Sequence, residues 1–313
     1  MTVARTGIQT ILGAGGAIGR ALAQELLRAQ KPVRLGGRHP QRFSGAVETV
    51  AVDVRDPEQT MRAVVGSAVV YLVAGLKYDT RVWGDSWPRI MNNVIEACKR
   101  AGAKLVFFDN VYMYGKVAGA MTEETAFNPC SKKGEIRAQI ATALLDATKA
   151  GSLTALIARS ADFYGPGART SIPVLLVFDK LAKGRAAYWL VNDAVPHSFT
   201  FVPDAARGVA LLADSETAWN QTWHLPTAAN PPTGRTFIGM AAQAFGVVPK
   251  SRVLRRPVLK IGGWFDSDVR ESYEMLYQYE SDYVFDSGKF HQTFDSKATS
   301  YAEGIRRMAE SYQ

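Results

Sequence analysis

The sequence predicts an α/β fold, a doubly wound parallel sheet with a smaller, mostly helical C-terminal lobe. Three observations predict it. Short apolar runs alternate with helix-period segments from residue 8 to about 225. A glycine-rich turn, carrying Gly13, Gly16 and Gly19, joins the first apolar run to the first helical pattern. The alternation loosens after Gly165-Pro166-Gly167. Strands separated by helices need crossover connections, and right-handed crossovers build a parallel sheet.

Each element has its own signal. Apolar runs predict strands at 8–12, 33–36, 49–53, 69–73, 104–109 and 153–158, and helices fall between them at 17–30, 57–65, 87–100 and 131–150. Pro57 suits a first helical turn, and Gly102 stands just past a helix end. A strand at 199–202 followed by a helix at 204–213 returns to the pattern, and 223–225 adds a last strand. The expected division is a Rossmann-type dinucleotide domain of residues 1–165 plus 199–225, and a substrate-binding lobe of 166–198 plus 226–313.

The bulk properties exclude several classes. With 313 residues, 47% of them hydrophobic, the chain can bury a full α/β core. It has no apolar run long enough to span a bilayer, and residues 1–7 carry no apolar segment of their own. No membrane partner is expected. Cys98 and Cys130 are too few for a disulfide framework or a zinc site, and the four histidines show no ligand spacing. The expectation is a reduced, cytoplasmic protein without a metal. The net charge of +8 is spread along the chain, with only short clusters such as Lys132-Lys133 and Arg255-Arg256. No basic stripe is interleaved with aromatics, so nucleic acid is not an expected partner.

Gly13-Ala14-Gly15-Gly16-Ala17-Ile18-Gly19 is the most informative stretch. Its glycines let the backbone approach a pyrophosphate, and the helix that starts there offers N–H groups and a partial positive charge. Sites selective for the unphosphorylated dinucleotide place a carboxylate about 20 residues further on, against the ribose 2′-hydroxyl. Here that region reads Leu35-Gly36-Gly37-Arg38-His39. Arg38 has the planar fork that pairs with a 2′-phosphate, assisted by Arg20 and Arg42. NADP(H) is therefore expected in preference to NAD(H).

Taken together, the motifs resemble the extended short-chain dehydrogenase/reductases of the epimerase/dehydratase type. The resemblance runs nearly end to end. Gly13, Gly16 and Gly19 take the glycine positions, with Ala17 and Ile18 in the first turn. Asp53-Val54 matches the acidic pair that contacts the adenine, and Val73-Ala74-Gly75 the turn beside the cofactor. Asn93-Val94-Ile95-Glu96-Ala97 looks like the family's N-V-L-E-A helix, 159–166 like its R-x-x-N-x-Y-G-P, and 199–204 like its F-x-x-V-x-D. The resemblance implies a soluble NAD(P)-dependent enzyme with a small-molecule substrate, and a homodimer through the helices at 87–100 and 131–150.

The family's acid/base set is not kept. Aligned on 128–137, its Tyr-x-x-x-Lys pair falls on Lys133 and Arg137, and its Ser or Thr falls on Asn110. Three readings stand open. Lys133 can be the proton donor, its pKa pulled down by Arg137, which would also hold the ribose. Tyr112, at the end of the fifth strand, or Tyr164 can do the work instead. Or the chain can be a cofactor-bound sensor without acid/base chemistry.

For the substrate, the Asn that often holds a diphosphate is here Asp162, which argues against a sugar nucleotide. A sugar-nucleotide epimerase or dehydratase is the remaining enzymatic alternative. His197 is expected to reach a substrate oxygen at the site's mouth, and Arg169 to meet an acidic group. Tyr188-Trp189-Leu190 and Trp264-Phe265 are expected either in the core or along an apolar pocket.

Overall fold

The structure, a computed structural model, describes residues 7–40, 45 and 48–312. In the first half, β1 (Ile8–Leu12), β2 (Val33–Gly37), β3 (Glu48–Ala51), β4 (Ser67–Leu72) and β5 (Lys104–Asp109) alternate with α1 (Ala17–Arg28), α2 (Pro57–Val64) and α3 (Thr80–Ala101). The short β6 (Ala120–Met121) and then α4 (Lys132–Lys149) lead to β7 (Ala155–Arg159). Next come β8 (Asp162–Tyr164), α5 (Asp179–Leu181), β9 (Ala187–Leu190), β10 (Phe199–Phe201), α6 (Val202–Asp214) and β11 (Thr222–His224). The remainder holds α7 (Gly234–Ala244), β12 (Ser251–Leu254), α8 (Arg256–Phe265), α9 (Ser267–Ser272), β13 (Val284–Phe285), α10 (Gly288–Phe294) and α11 (Tyr301–Glu310).

Seven strands form the central sheet in the order β11-β7-β5-β4-β1-β2-β3, with every pairing parallel. Successive strand residues point to opposite faces, so each strand feeds two cores. Ile11, Tyr71 and Val106 face α1 and α6, in one apolar cluster with Leu22, Leu26 and Val209. Their neighbours Leu12, Leu72 and Phe107 face α2, α3 and α4, in a second cluster with Ile90, Val94 and Ile140. Strand order reverses between β1 and β4. A crevice opens there at the carboxyl ends of the strands, which is where ligands bind in such sheets.

Helix boundaries follow local chemistry. Asp56 caps α2, accepting from the Gln59 N–H, with Pro57 at its first position. Helix α3 begins at Thr80 rather than at the expected 87, because Asp79 accepts from the N–H groups of Arg81 and Val82. Pro88 therefore lies inside the helix. The carbonyl that it deprives of a helix bond, on Gly84, is on the exposed side of the helix.

Segment 199–202 does not join the central sheet. Its strand β10 pairs with β8, and β12 with β9 and β13 with β6 form two further parallel ribbons beside the helices α7 to α11. The first apolar cluster continues without a break into Phe178, Trp189, Phe237, Leu276 and Ile305. The late segments are thus packed onto the same core as β1 and α1.

Candidate functional site

The turn after β1 shows a separate role for each glycine. Gly13 has φ +101°, and a Cβ there would meet the Ala74 Cα at 2.5 Å. Only glycine allows this approach of the β1 and β4 turns. A Cβ on Gly19 would meet the Gly13 carbonyl oxygen at 2.6 Å, so Gly19 sets the distance between α1 and the turn. Between them, a Cβ on Gly15 would meet nothing within 4 Å, and one on Gly16 only the Gly13 oxygen at 3.6 Å. The open side of the turn therefore faces a space the protein does not fill. Gly16 caps α1 with no side-chain bond, and the first turn holds no acid, so the N–H groups of Ala17, Ile18 and Gly19 meet no competing carboxylate. Arg20 directs its Nε to the Gly15 carbonyl at 3.1 Å.

The neighbouring strand ends continue this surface. Arg38 is exposed just past β2, and its charge acts on Asp53 past β3. Asp53 is paired with Arg55, whose hydrogen bonds hold the carboxyl below its ordinary value against the effect of burial. Asn93, on α3, donates to the Val54 carbonyl at 3.1 Å and so braces the loop rather than pointing away from it. Val73 is buried behind Ala74 and the exposed Gly75. A Cβ on Gly167 would lie 3.8 Å from Ala17, so the loop carrying the exposed Arg169 borders the first turn of α1. Arg42 lies outside the described residues.

Both cations at the family's acid/base positions are enclosed. Lys133 is fully buried, and its Nζ donates to Thr80 Oγ1 at 2.7 Å, Glu271 Oε2 at 2.8 Å, the Glu271 carbonyl at 2.9 Å and Glu274 Oε1 at 2.9 Å. Burial raises the Glu271 carboxyl, but the bonds from Lys133 and Thr80 outweigh it and leave the group at about 2. The expected proton donor is therefore an ion-paired strap from α4 to α9 and the turn after it. The expectation that Arg137 acts on Lys133 missed these two carboxylates, which are the groups Lys133 touches. Arg137 donates through Nε to Asp109 at 2.7 Å and lies 4.6 Å over the Trp87 ring. Its guanidinium is turned into the sheet–helix interface, between Asp109 and the Trp87 and Phe107 rings. Asp109 is fully buried at the end of β5, with Arg159 Nε 3.7 Å away on its other side.

Tyr112 follows β5 in a short helical turn, Tyr112–Tyr114, fixed by Asn110, whose Oδ1 accepts from the Tyr112 N–H at 3.1 Å. Asn110 thus makes a local turn bond to the backbone two residues on. The Tyr112 ring stacks on Trp83, with centroids 6.3 Å apart and planes 15° apart. Burial and the Asp162 charge raise its phenol, whereas a hydrogen bond from Tyr78 and the charge of Arg137 lower it; burial dominates. Asp162 accepts from His197 Nε2 at 3.0 Å and from the Tyr279 hydroxyl at 3.2 Å. His197 is not at a mouth: it is buried, stacked between Tyr279 at 4.5 Å and Tyr283 at 4.3 Å. It positions Asp162.

Tyr164, another expected donor, is buried among Phe178, Phe201, Phe237 and Tyr301. Nothing in that aromatic core needs a proton, and burial pushes its phenol up. Trp189 lies in the core and lines a narrow apolar crevice with Ile172, Leu176, Val177, Tyr188 and Tyr279. Trp264 and Phe265 are not in a pocket, being 72% and 86% exposed. Among the described residues no group of three His, Cys, Asp or Glu is placed to hold a metal, and no helix is long and apolar enough to cross a membrane.

Sequence reasoning missed Tyr78, Glu271, Glu274, Tyr279 and Tyr283. The missed signal was the aromatic spacing of 273–283, where four tyrosines recur within eleven residues. The carboxylates had no local signal, since their partner Lys133 is remote in sequence.

A parallel sheet with a switch point, an open glycine turn and an uncapped α1 N-terminus define a dinucleotide-binding protein. The chain belongs to the NAD dependent epimerase/dehydratase family, which it matches over residues 10–223. It is 23% identical to an Arabidopsis thaliana protein named 3beta-hydroxysteroid-dehydrogenase/decarboxylase isoform 2, covering 86% of this chain and 52% of that protein. It is 29% identical to the ceramide reductase of Caulobacter vibrioides, covering 66% of this chain and 65% of that one. The chain thus spans about half to two thirds of these curated relatives. Its fold is that of the Thermus thermophilus UDP-glucose 4-epimerase, solved with NAD, at a TM-score of 0.78 and 19% identity, covering 97% and 98% of the two chains.

Proposed function

We propose that the chain is an NAD(P)-dependent oxidoreductase that moves a hydride between the nicotinamide and a carbonyl or hydroxyl carbon of a small organic substrate, with Tyr112 as proton donor. The observation that carries this reading is the Tyr112 phenol at the carboxyl end of β5, hydrogen-bonded by Tyr78 and close to the Arg137 charge. The glycine turn and the α1 N-terminus fit a pyrophosphate, and Arg38 fits a 2′-phosphate, so NADP(H) is the preferred cofactor. The cofactor supplies the hydride when bound. Tyr112 holds its proton at neutral pH, as an ordinary phenol does, and burial raises the group further. As charge develops on the substrate oxygen, Tyr112 donates its proton. The Tyr78 hydrogen bond and the Arg137 cation then stabilise the phenolate left behind.

The substrate class we favour is an apolar alcohol or ketone, although the apolar crevice beside Tyr279, lined by Ile172, Leu176 and Trp189, is too narrow to hold one as it stands. The Asp162 carboxylate, held in place by His197 and Tyr279, opposes a diphosphate. Relatives named for a ceramide and a steroid agree with this class. Direct binding of uridine diphosphate would instead favour the sugar-nucleotide reading. With Cys98 and Cys130 both free, we place the chain in the reducing cytoplasm. A homodimer through α3 and α4 would join faces that expose Arg89, Asn92, Gln139 and Asp146, a polar contact, and light scattering at the monomer mass would remove it.

Parallel fluorescence titrations with NADPH and NADH, followed by turnover of Tyr112→Phe, test the reading. Expected are tighter NADPH binding and a loss of turnover on the order of 100-fold or more, with NADPH affinity unchanged. Full turnover in Tyr112→Phe would remove Tyr112. The burial of both Lys133 and Arg137 in ion pairs favours one second reading, a cofactor-binding regulator. No NADPH consumption across a carbonyl panel, together with a partner captured only when cofactor is present, would select it.

A further inference from the structure

Helix α8 is apolar on both sides. Its inner face sets Leu259 and Gly263 against α9 and the turn that follows, so closely that a Cβ on Gly263 would meet the Arg270 Cα at 3.1 Å. That contact fixes the rotation of the helix. Its outer face carries Val258, Ile261 and Phe265 at helical spacing, 56%, 54% and 86% exposed, with Trp264 beside them at 72%. A helix that is hydrophobic all round belongs in an interior or against a second apolar phase. Here half of it faces outward.

The charges around this stripe are mostly positive. Residues 250–270 hold six Lys or Arg, Lys250, Arg252, Arg255, Arg256, Lys260 and Arg270, against two carboxylates, Asp266 and Asp268. Arg256 is paired with Glu280. Lys250, Arg252, Arg255 and Lys260 are exposed and make no ion pair among the described residues. Asp266 accepts from the N–H groups of Asp268 and Val269 as the cap of α9.

We propose that α8 is an interfacial docking element that lays Val258, Ile261, Trp264 and Phe265 into the headgroup region of an anionic lipid bilayer. An exposed apolar stripe with an aromatic end and flanking cations is the pattern that lies in the plane of such an interface. Aromatic rings sit well there because one end is apolar and the other wet. The lysines and arginines meet anionic headgroups, which add attraction for each cation near the surface. A second copy of the chain fits less well, since a two-fold contact through α8 would set the same cations against each other. The criterion of a spanning run, which excluded a membrane partner from the sequence, does not detect a helix of this kind. Because α8 packs on the segment Tyr273–Tyr279, docking would bring the Tyr279 side of the site toward the lipid.

The test is co-sedimentation of the full chain with vesicles of phosphatidylcholine alone and of phosphatidylcholine with phosphatidylglycerol, at low and high salt. Expected is binding to the phosphatidylglycerol vesicles, released by salt. The double variant Trp264→Ser, Phe265→Ser should lose more than tenfold in partitioning while keeping the parent's melting curve, and Arg255→Glu with Lys260→Glu should lose binding at low salt. Absence of binding to either vesicle would overturn the proposal, as would unchanged binding of the Trp264/Phe265 variant. A dimer in light scattering that the same variant dissolves would also overturn it, and would assign the face to a second copy.

Discussion

Replacing Lys133 by Met keeps most of the side chain's length and removes its charge from a fully buried position. Two independent routes give the cost. Removing one partner of a buried ion pair costs about 3–5 kcal/mol. The lower end applies here, because Glu271 and Glu274 are 21% and 25% exposed and regain water once Lys133 is gone. The second route is linkage. The Glu271 carboxyl lies at about 2 instead of 4.5, largely through its bonds to Lys133 and Thr80. At 1.36 kcal/mol per pH unit the whole shift is about 3 kcal/mol, an upper bound for Lys133, because the two Thr80 bonds persist in the variant and solvent screens the carboxylate. For a chain of 313 residues a loss of about 3 kcal/mol is a fall in melting temperature of about 5 °C.

The assay is thermal unfolding of both proteins at pH 7 and pH 3, with turnover measured below both transitions. Because the folded pKa of Glu271 is depressed, its contribution is complete above pH 4.5 and is lost as pH falls through about 2. The gap between parent and variant should therefore narrow at pH 3. An unshifted melt with abolished turnover would refute the reasoning and restore Lys133 as the proton donor.

Three further outcomes are expected. Arg38→Ala should weaken NADPH binding about tenfold and leave NADH nearly unchanged, read by fluorescence titration, since one charged hydrogen-bonded pair contributes on the order of 1.5 kcal/mol. Gly19→Ala places a Cβ 2.6 Å from the Gly13 oxygen and 2.8 Å from the Ala14 Cα, both backbone, so the turn must shift; a cost of about 1–3 kcal/mol in chemical denaturation and weaker binding of either cofactor should follow. His224 is held down at about 3 by burial, so it stays neutral in the fold while the unfolded chain protonates below 6.5. Stability should be full above pH 6.5 and fall toward pH 3, and His224→Gln should flatten that slope in denaturant titrations at stepped pH.

The central sheet was readable because its signals are local. Apolar runs such as Ile8–Leu12 and the Gly13–Gly19 spacing need no distant partner to be interpreted. The start of α3 was missed because Asp79 as a cap competes with Pro88 as a start signal, and the cap wins through its two N–H bonds. The contacts of Lys133 and His197 are not legible in the sequence for a different reason. Each is decided by partners far along the chain, Glu271 and Glu274 for one, Asp162 and Tyr279 for the other. Periodicity says which side of a helix or strand a residue takes, not which remote charge it will meet. Trp264 and Phe265 illustrate the same limit, since composition alone cannot separate a pocket wall from an outward face.

The ribbons that join early and late parts of the chain also bear on how the molecule is made. Met121 on β6 pairs with Phe285 on β13, and Leu190 on β9 with Leu254 on β12. Pairings between such distant segments form slowly, because loop closure must precede any gain from contact. On the ribosome, β6 emerges long before the strand that completes it. The Rossmann sheet can assemble during synthesis, but Lys133 must wait, charged and without its carboxylates, until 271–274 has been translated. During that interval the newly made α4 presents an unpaired cation beside apolar surface, the kind of intermediate that chaperones shelter.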